Sequence, residues 1–275
     1  MTISIIGLGW LGIPLAKAFQ QIGVSIKGST TSLEKKHSLE NQGLVCEQLI
    51  LDPELFSPVP ESIFDTAILF INIPPSTRTK PSGYHPRQVE IIKAMAKEHG
   101  IKKIIYVSAT SVYSSNNQIA KESDYLDLNN TGNRALFNAE KILWKDKTYD
   151  LTIIRFGGLL GDDRIPGQYF SGKENVAGHA PVNYIHRKDA IKAVLWIVEN
   201  NLWNETYNIV CPKHPIKREV FEKNAADMGF LPPASYANAD SQAWKEISTE
   251  KWCKTNFQFI YDDPLNFTYT GKSKP

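Results

Sequence analysis

Gly7, Gly9 and Gly12 are the residues whose type and spacing most directly suggest chemistry. They form the GxGxxG turn Gly7-Leu8-Gly9-Trp10-Leu11-Gly12. The turn follows the apolar run at residues 3–6. It precedes Leu11, Leu15, Phe19 and Ile22, which share one helical face until Gly23 closes the helix. In a strand–turn–helix unit the first glycine permits the tight bend and the second lets a diphosphate approach the backbone. The third lets helix and strand pack closely. The helix N-terminus then offers unpaired N–H groups and partial positive charge to phosphates. A glycine turn serving only the fold is the competing reading, and the flanking strand and helix favour a dinucleotide.

The kind of dinucleotide is read at the end of the second strand, residues 24–28. An NAD site places Asp or Glu there, against the ribose hydroxyls. This chain has Gly28-Ser29-Thr30-Thr31-Ser32, with Lys35 and Lys36 just beyond. Hydroxyls and ammonium groups suit a 2′-phosphate, so NADP is the expected cofactor and NAD the alternative. Capping of a helix that starts near Ser32 would explain Thr31 or Ser32 equally well, and Glu34 is also near.

Further along stand Asn72-Ile73-Pro74-Pro75 and Tyr106-Val107-Ser108-Ala109-Thr110-Ser111-Val112-Tyr113. They are followed by Arg155-Phe156-Gly157-Gly158-Leu159-Leu160-Gly161, by Val182-Asn183-Tyr184-Ile185-His186-Arg187-Lys188-Asp189 and by Tyr207-Asn208-Ile209-Val210. In this order, through nearly the whole chain, they resemble the extended and atypical short-chain dehydrogenase/reductases, the NAD-dependent epimerase/dehydratase superfamily. The resemblance implies a Rossmann lobe, a small C-terminal substrate lobe and an active cleft between them. It implies cofactor contacts at Gly7, Gly9, Trp10, Leu11, Gly12, Ser29, Thr30, Thr31, Asp52, Ile73, Pro74, Pro75 and Ser108. The implied partner is a small polar metabolite, such as a nucleotide-sugar.

That family's chemistry normally uses a Tyr and a Lys four residues later on one helical face. The lysine lowers the tyrosine pKa so that the phenol can exchange a proton while hydride moves at the nicotinamide. Counting back from Ala139-Glu140 puts Gly132 at the tyrosine position and Leu136 at the lysine position. Ala109 falls where the fifth-strand hydroxyl is expected. No YxxxK occurs in residues 120–145, so the usual proton relay is absent. The turn is GxGxxG rather than the extended family's GxxGxxG, because Ile6 holds the earlier position; atypical members show both traits.

The remaining catalytic candidates are Thr110, Tyr113 and His186, with Asn133, Arg134, Gln168 and Tyr169 on the substrate side. Each has a plainer reading. Tyr113 packs, Asn133 caps a helix, and Arg134 is solvated. His186, like His179, is hydrogen-bonded scaffolding. Arg155 ends an apolar strand, where a charge needs a partner; an ion pair and anion binding are its two readings. Asp162, Asp163 and Arg164 read as a solvated turn.

The elements that must position these residues alternate as β-α-β-α. Strands are expected at 3–6, 24–28, 44–51, 67–73, 104–107 and 151–156, with helices at about 86–99 and 133–145. Strands apolar on both faces belong to parallel sheets covered by helices on each side. The expected fold is α/β, a doubly wound parallel Rossmann sheet with a smaller C-terminal α+β substrate lobe. The lobes are expected at 1–160 and 161–275, with 185–211 packing back on the sheet. The second half carries an irregular segment at 162–184, helices at 188–200 and 217–228, and a short strand at 206–210. Its tail, with Trp244, Ile247, Trp252, Phe257, Phe259 and Tyr261, is too aromatic for a disordered end.

Bulk properties narrow the function. The 31 basic and 29 acidic residues leave a net charge of +2, which gives no electrostatic reason to expect nucleic acid or membrane binding. No apolar run of about 18 residues is present. Residues 1–10 read as strand and turn rather than leader, so a cytoplasmic location is expected. Cys46, Cys211 and Cys253 lack CxxC spacing and the six histidines lack ligand spacing; reduced, buried thiols and no metal are expected. Oligomeric state stays open.

Two functions fit. One is an NAD(P)-dependent oxidoreductase or nucleotide-sugar epimerase/reductase-like enzyme with a non-standard acid or base. The other is a non-catalytic NADP(H)-binding regulatory or sensor protein. A third, a 3-hydroxyacid dehydrogenase-like enzyme, would need a long all-helical C-terminal domain, which the strand at 206–210 opposes.

Overall fold

The structure is a computed structural model that describes residues 1–54, 59–239 and 242–271. Its elements in chain order are β1 (Thr2–Ile6), α1 (Gly12–Gln21), β2 (Ser25–Thr30), α2 (Leu33–Glu40), β3 (Val45–Gln48), β4 (Ile68–Ile71) and α3 (Tyr84–Glu98). There follow β5 (Lys103–Ala109), β6 (Gln118–Ala120), α4 (Arg134–Trp144), β7 (Asp150–Phe156) and β8 (Gly158–Leu160). The remainder is β9 (Tyr184–His186), α5 (Arg187–Glu199), β10 (Glu205–Ile209), α6 (Lys217–Met228), β11 (Lys245–Ile247) and α7 (Glu250–Cys253).

Seven strands form one sheet in the order β10-β7-β5-β4-β1-β2-β3, and β1 pairs in parallel with both β2 and β4. Ile3, Ser4, Ile5 and Ile6 are all buried, as is every residue of β4. Strands buried on both faces require helices on each side, which alternating βα units supply. From β1 the chain winds outward through β2 to β3, whereas β4, β5, β7 and β10 extend the other way. The winding reverses between β1 and β4, and the crevice beyond their C-terminal ends is where open α/β sheets hold ligands.

The chain divides into two compact units. The first joins residues 1–108, 127–154 and 197–206, and the second joins 109–126, 155–196 and 207–275. In the first unit, α1 buries Leu15, Ala16 and Phe19. Ile22, expected on that stripe, is 62% exposed. The helix ends at Gln21, and Ile22 turns outward as the chain tightens into Gly23 at φ +77°.

In the second unit β6 pairs with β11 and β8 with β9, both in parallel. A core of Val176, Val182, Val220 and Phe221 carries Phe170 stacked 4.7 Å from Phe221. The aromatic tail is packing: the Trp252 ring lies 5.2 Å from Tyr207 and 5.0 Å from Phe257. Cys46 and Cys211 are buried, but Cys253, expected to be buried, is exposed on the last turn of α7. No helix among the described residues is long and apolar enough to cross a membrane.

Candidate functional site

A cleft of about 280 Å³ lies in the first unit, where the C-terminal ends of β1, β2 and β4 meet. Of the residues expected at the cofactor, Gly7, Gly9, Ser29, Thr30, Thr31, Ile73 and Pro74 line it. Asn72 fixes the turn. Its side-chain Nδ2 donates to the Gly7 carbonyl at 3.1 Å, and its backbone N–H donates to Ile6 at 2.9 Å.

The three glycines separate into two kinds. Gly7 sits at φ +105°, and a Cβ there would come 2.3 Å from the Asn72 carbonyl oxygen. A Cβ on Gly12 would come 2.3 Å from the Gly7 carbonyl oxygen. The fold itself requires both glycines. A Cβ on Gly9 would meet nothing within 4 Å, and its φ lies outside the left-handed region. No packing among the described residues accounts for glycine at that position, which lines the cleft. Leu11, at the N-cap of α1, supplies no side-chain cap, so the helix start is left to backbone donors. A diphosphate fits this set by charge and by space.

At the end of β2 the hydroxyl of Ser29 is turned inward, where it accepts the Gly7 N–H at 3.3 Å. Ser29 thus serves the turn with its hydroxyl while it also lines the cleft. Lys36 is held by Glu47 at 3.1 Å, whereas Lys35 lines the cleft. Among the described residues no carboxylate lines the cleft. Ser32 caps α2 by accepting the Lys35 N–H at 3.2 Å, as the plainer reading had it.

The cleft does not include Trp10, Leu11, Gly12, Asp52, Pro75 or Ser108. Leu11 is buried under the turn. Asp52 accepts the Glu54 N–H at 2.9 Å. The buried Ser108 hydroxyl donates to the buried Glu140 carboxylate at 2.5 Å. Gln88 was missed: its Nε2 donates to the Leu51 carbonyl at 2.6 Å and it lines the cleft with Leu49 and Leu51. A polar residue beside the buried stripe Val89, Ile92 and Ala96 of α3 was the available signal.

The catalytic candidates are placed less favourably. Leu136, which the count back from Glu140 puts at the lysine position, is buried in α4. Asn133 caps α4 by accepting the Leu136 N–H at 3.2 Å, and the exposed Arg134 donates through Nε to the Leu128 carbonyl. In the second unit Tyr113 is fully buried; its hydroxyl donates to Asn208 Oδ1 at 2.9 Å and accepts from Arg155 Nη1 at 2.6 Å. Burial pushes this phenol up to about 12, although Arg155 and Asn208 pull it the other way. The phenol braces Arg155 against Asn208. Asn208 extends the brace, its N–H donating to Glu122 Oε1 at 2.7 Å.

Thr110 is buried in the 3-10 turn Thr110–Val112. His186 is buried between Tyr261 and Phe267. Its Nδ1 accepts the Lys188 N–H at 3.2 Å and its Nε2 lies 3.1 Å from the Thr268 carbonyl. Both ring nitrogens are engaged, so neither is left for a substrate, and burial lowers the ring's pKa. Gln168 and Tyr169 are exposed on the 3-10 turn Pro166–Phe170. Asp162, expected in a solvated turn, instead pairs with Arg187.

Comparison with known proteins agrees with this architecture. No model of a known protein family matches the sequence. Protein YeeZ of Escherichia coli K12 is 30% identical over 266 residues, covering 96% of this chain and 97% of the relative. The UDP-glucuronic acid 4-epimerase of Bacillus cereus, solved in complex with NAD, superposes with a TM-score of 0.77 at 14% identity over 97% of each chain. The UDP-glucose 4-epimerase of Thermotoga maritima, solved with UDP-glucose, gives 0.75 at 15% identity over 96% of each. The chain belongs to the family of protein YeeZ, and its fold is that of the short-chain dehydrogenase/reductases of the NAD-dependent epimerase/dehydratase kind.

Proposed function

We propose that the protein binds a nicotinamide dinucleotide in the first-unit cleft, with NADP(H) preferred. The carrying observation is Gly9, open to the cleft with no packing reason to be glycine. The space beside Gly9 would admit the diphosphate, the N–H groups at the start of α1 would hold it, and Thr30, Thr31 and Lys35 would hold the 2′-phosphate. Bound there, the cofactor would supply hydride transfer. The epimerases that share the fold bind NAD and UDP-glucose, which supports a nucleotide-sugar or similar polar metabolite as the substrate. The acid or base would then be a group other than the family's tyrosine.

One observation favours a second reading. Gly132 and the buried Leu136 occupy the relay positions, and the hydroxyls of Tyr113 and Ser108 are spent on internal bonds. A non-catalytic NADP(H)-binding regulator needs no relay.

Calorimetric titration with NADPH and NADH tests the binding. The expected result is tighter NADPH binding that falls by about tenfold or more in Lys35→Glu, with NADH little changed. No binding of either dinucleotide at millimolar ligand would end the proposal. Turnover of UDP-sugars or carbonyls with bound NADPH separates the enzyme from the regulator.

A further inference from the structure

Among the described residues that line the cleft, one polar side chain serves neither the glycine turn nor the end of β2. Asn72 and the Ser29 hydroxyl hold the turn, and Thr30, Thr31 and Lys35 stand where β2 passes into α2. Beyond them the lining is Leu49, Leu51, Ile73 and Pro74, with Gln88 of α3 as the polar exception.

Gln88 falls one helical turn from the buried Tyr84 and Ile92, on a face where a polar group is costly unless bonded. Its Nε2 donates to the Leu51 carbonyl at 2.6 Å. The buried His85 ring, which meets the Tyr106 hydroxyl at Nε2, also feels the Gln88 side chain. An amide has two N–H donors and two acceptor lone pairs, so these neighbours steady it and leave capacity for a ligand. Asp52 is turned elsewhere. It accepts the Glu54 N–H and stands against Tyr84, whose pKa is raised by burial and then by Asp52; it does not line the cleft.

We propose, resting on the dinucleotide reading above, that the Gln88 amide pairs with the edge of the adenine base and selects it, and that Asp52 takes no part. Leu49, Leu51, Ile73 and Pro74 offer apolar surface to a flat base, and the amide beside them supplies a donor and an acceptor. Adenine carries the matching pair, an amino donor next to a ring-nitrogen acceptor. Hypoxanthine has a carbonyl oxygen in place of the amino group. It loses one bond of the pair and sets two acceptors against each other.

Calorimetric titration of the full chain with NADPH and with its hypoxanthine analogue tests this. Wild type should bind NADPH about tenfold tighter than the analogue. Gln88→Met keeps the side chain's length and the helix propensity, and should bring the two within about twofold by weakening NADPH. Asp52→Asn should keep the preference. Lys35→Glu should weaken both dinucleotides alike and keep it too. The proposal is overturned if wild type binds the two equally, if Gln88→Met retains the preference, or if Asp52→Asn removes it. Gln88→Leu repeats the measurement should the methionine variant lose its urea transition. Failure of wild type to bind either dinucleotide at millimolar ligand would instead end the dinucleotide reading, an outcome distinct from equal binding of both.

Discussion

At the residue scale the glycine turn is an experiment already laid out by its geometry. Gly7→Ala forces a Cβ against the Asn72 carbonyl at φ +105°, a combination of strain and overlap that should cost about 2–3 kcal/mol. Gly12→Ala should cost about 1–3 kcal/mol through its contact with Gly7. Gly9→Ala has room and should unfold in urea within about 0.5 kcal/mol of wild type. Its NADPH affinity should nevertheless drop by about tenfold or more, because the added methyl would stand where the proposed diphosphate approaches the turn. A Gly9→Ala variant with unchanged affinity would mean that no diphosphate sits on the turn.

His85 offers a second test at this scale. It is fully buried, with Nε2 2.7 Å from the Tyr106 hydroxyl, and burial pushes its pKa down from 6.5 to about 4. The unfolded chain therefore takes up a proton near pH 6.5 that the folded chain refuses until about pH 4. The stabilisation is complete above pH 6.5 and is lost as the pH falls toward 4, on the order of 3 kcal/mol in all. Urea unfolding of the wild type should show that slope. His85→Gln keeps a polar partner for Tyr106 without titrating in this range, and should flatten the slope.

At the element scale, α4 is finished by another helix. Lys93 of α3 donates through its ammonium to the Ile142 carbonyl at 2.8 Å and to the Lys145 carbonyl, the last acceptors of α4. A cation at a helix C-terminus meets both unpaired carbonyls and the negative end of the dipole. Lys93→Met should destabilise by about 1 kcal/mol and speed amide exchange in the last turn of α4, with α3 unaffected. Equal exchange in both proteins would assign Lys93 no capping role.

Elements of this kind were only partly legible beforehand. β1, β4 and β7 announced themselves because strands buried on both faces leave an unbroken apolar run, and α6 falls on residues 217–228 as its helical pattern indicated. β3 was expected over 44–51 but spans Val45–Gln48. Its pairing with β2 ends at Thr30, where the Leu49 N–H turns back to the Thr30 carbonyl at 2.9 Å. The glycine turn was legible because steric demand is written in residue type. Lys93 and the choice between Lys35 and Lys36 were not, because each depends on a partner from a distant part of the chain. Glu47 of β3 removes Lys36 from the cleft's reach, and no spacing rule along α2 contains Glu47.

At the scale of the whole molecule, the chain's division differs from a simple halving of the sequence. The first unit takes in residues 197–206, far beyond the stretch that ends its sheet-forming N-terminal half. That return segment is bonded into the unit at several points. Asn204 Oδ1 accepts the Leu151 N–H at 3.2 Å and the Lys147 ammonium at 2.6 Å, and its Nδ2 donates to Asp150 at 2.7 Å. The Thr152 hydroxyl donates to the Leu202 carbonyl at 2.7 Å, and Lys103 reaches Asn201. A fragment of residues 1–160 would leave these groups of β5 and β7 without partners and would strip β10 from the edge of the sheet beside the wholly buried β7 interior. Exposed β7 would then present an apolar edge prone to pairing with other chains. The fragment should therefore lack a single cooperative urea transition and should associate at micromolar concentration, whereas the full chain unfolds as a folded protein with a defined midpoint. Size-exclusion chromatography and urea titration of the two side by side check this. A monomeric 1–160 fragment with a sharp transition would show that the glycine-turn unit is complete without its return segment.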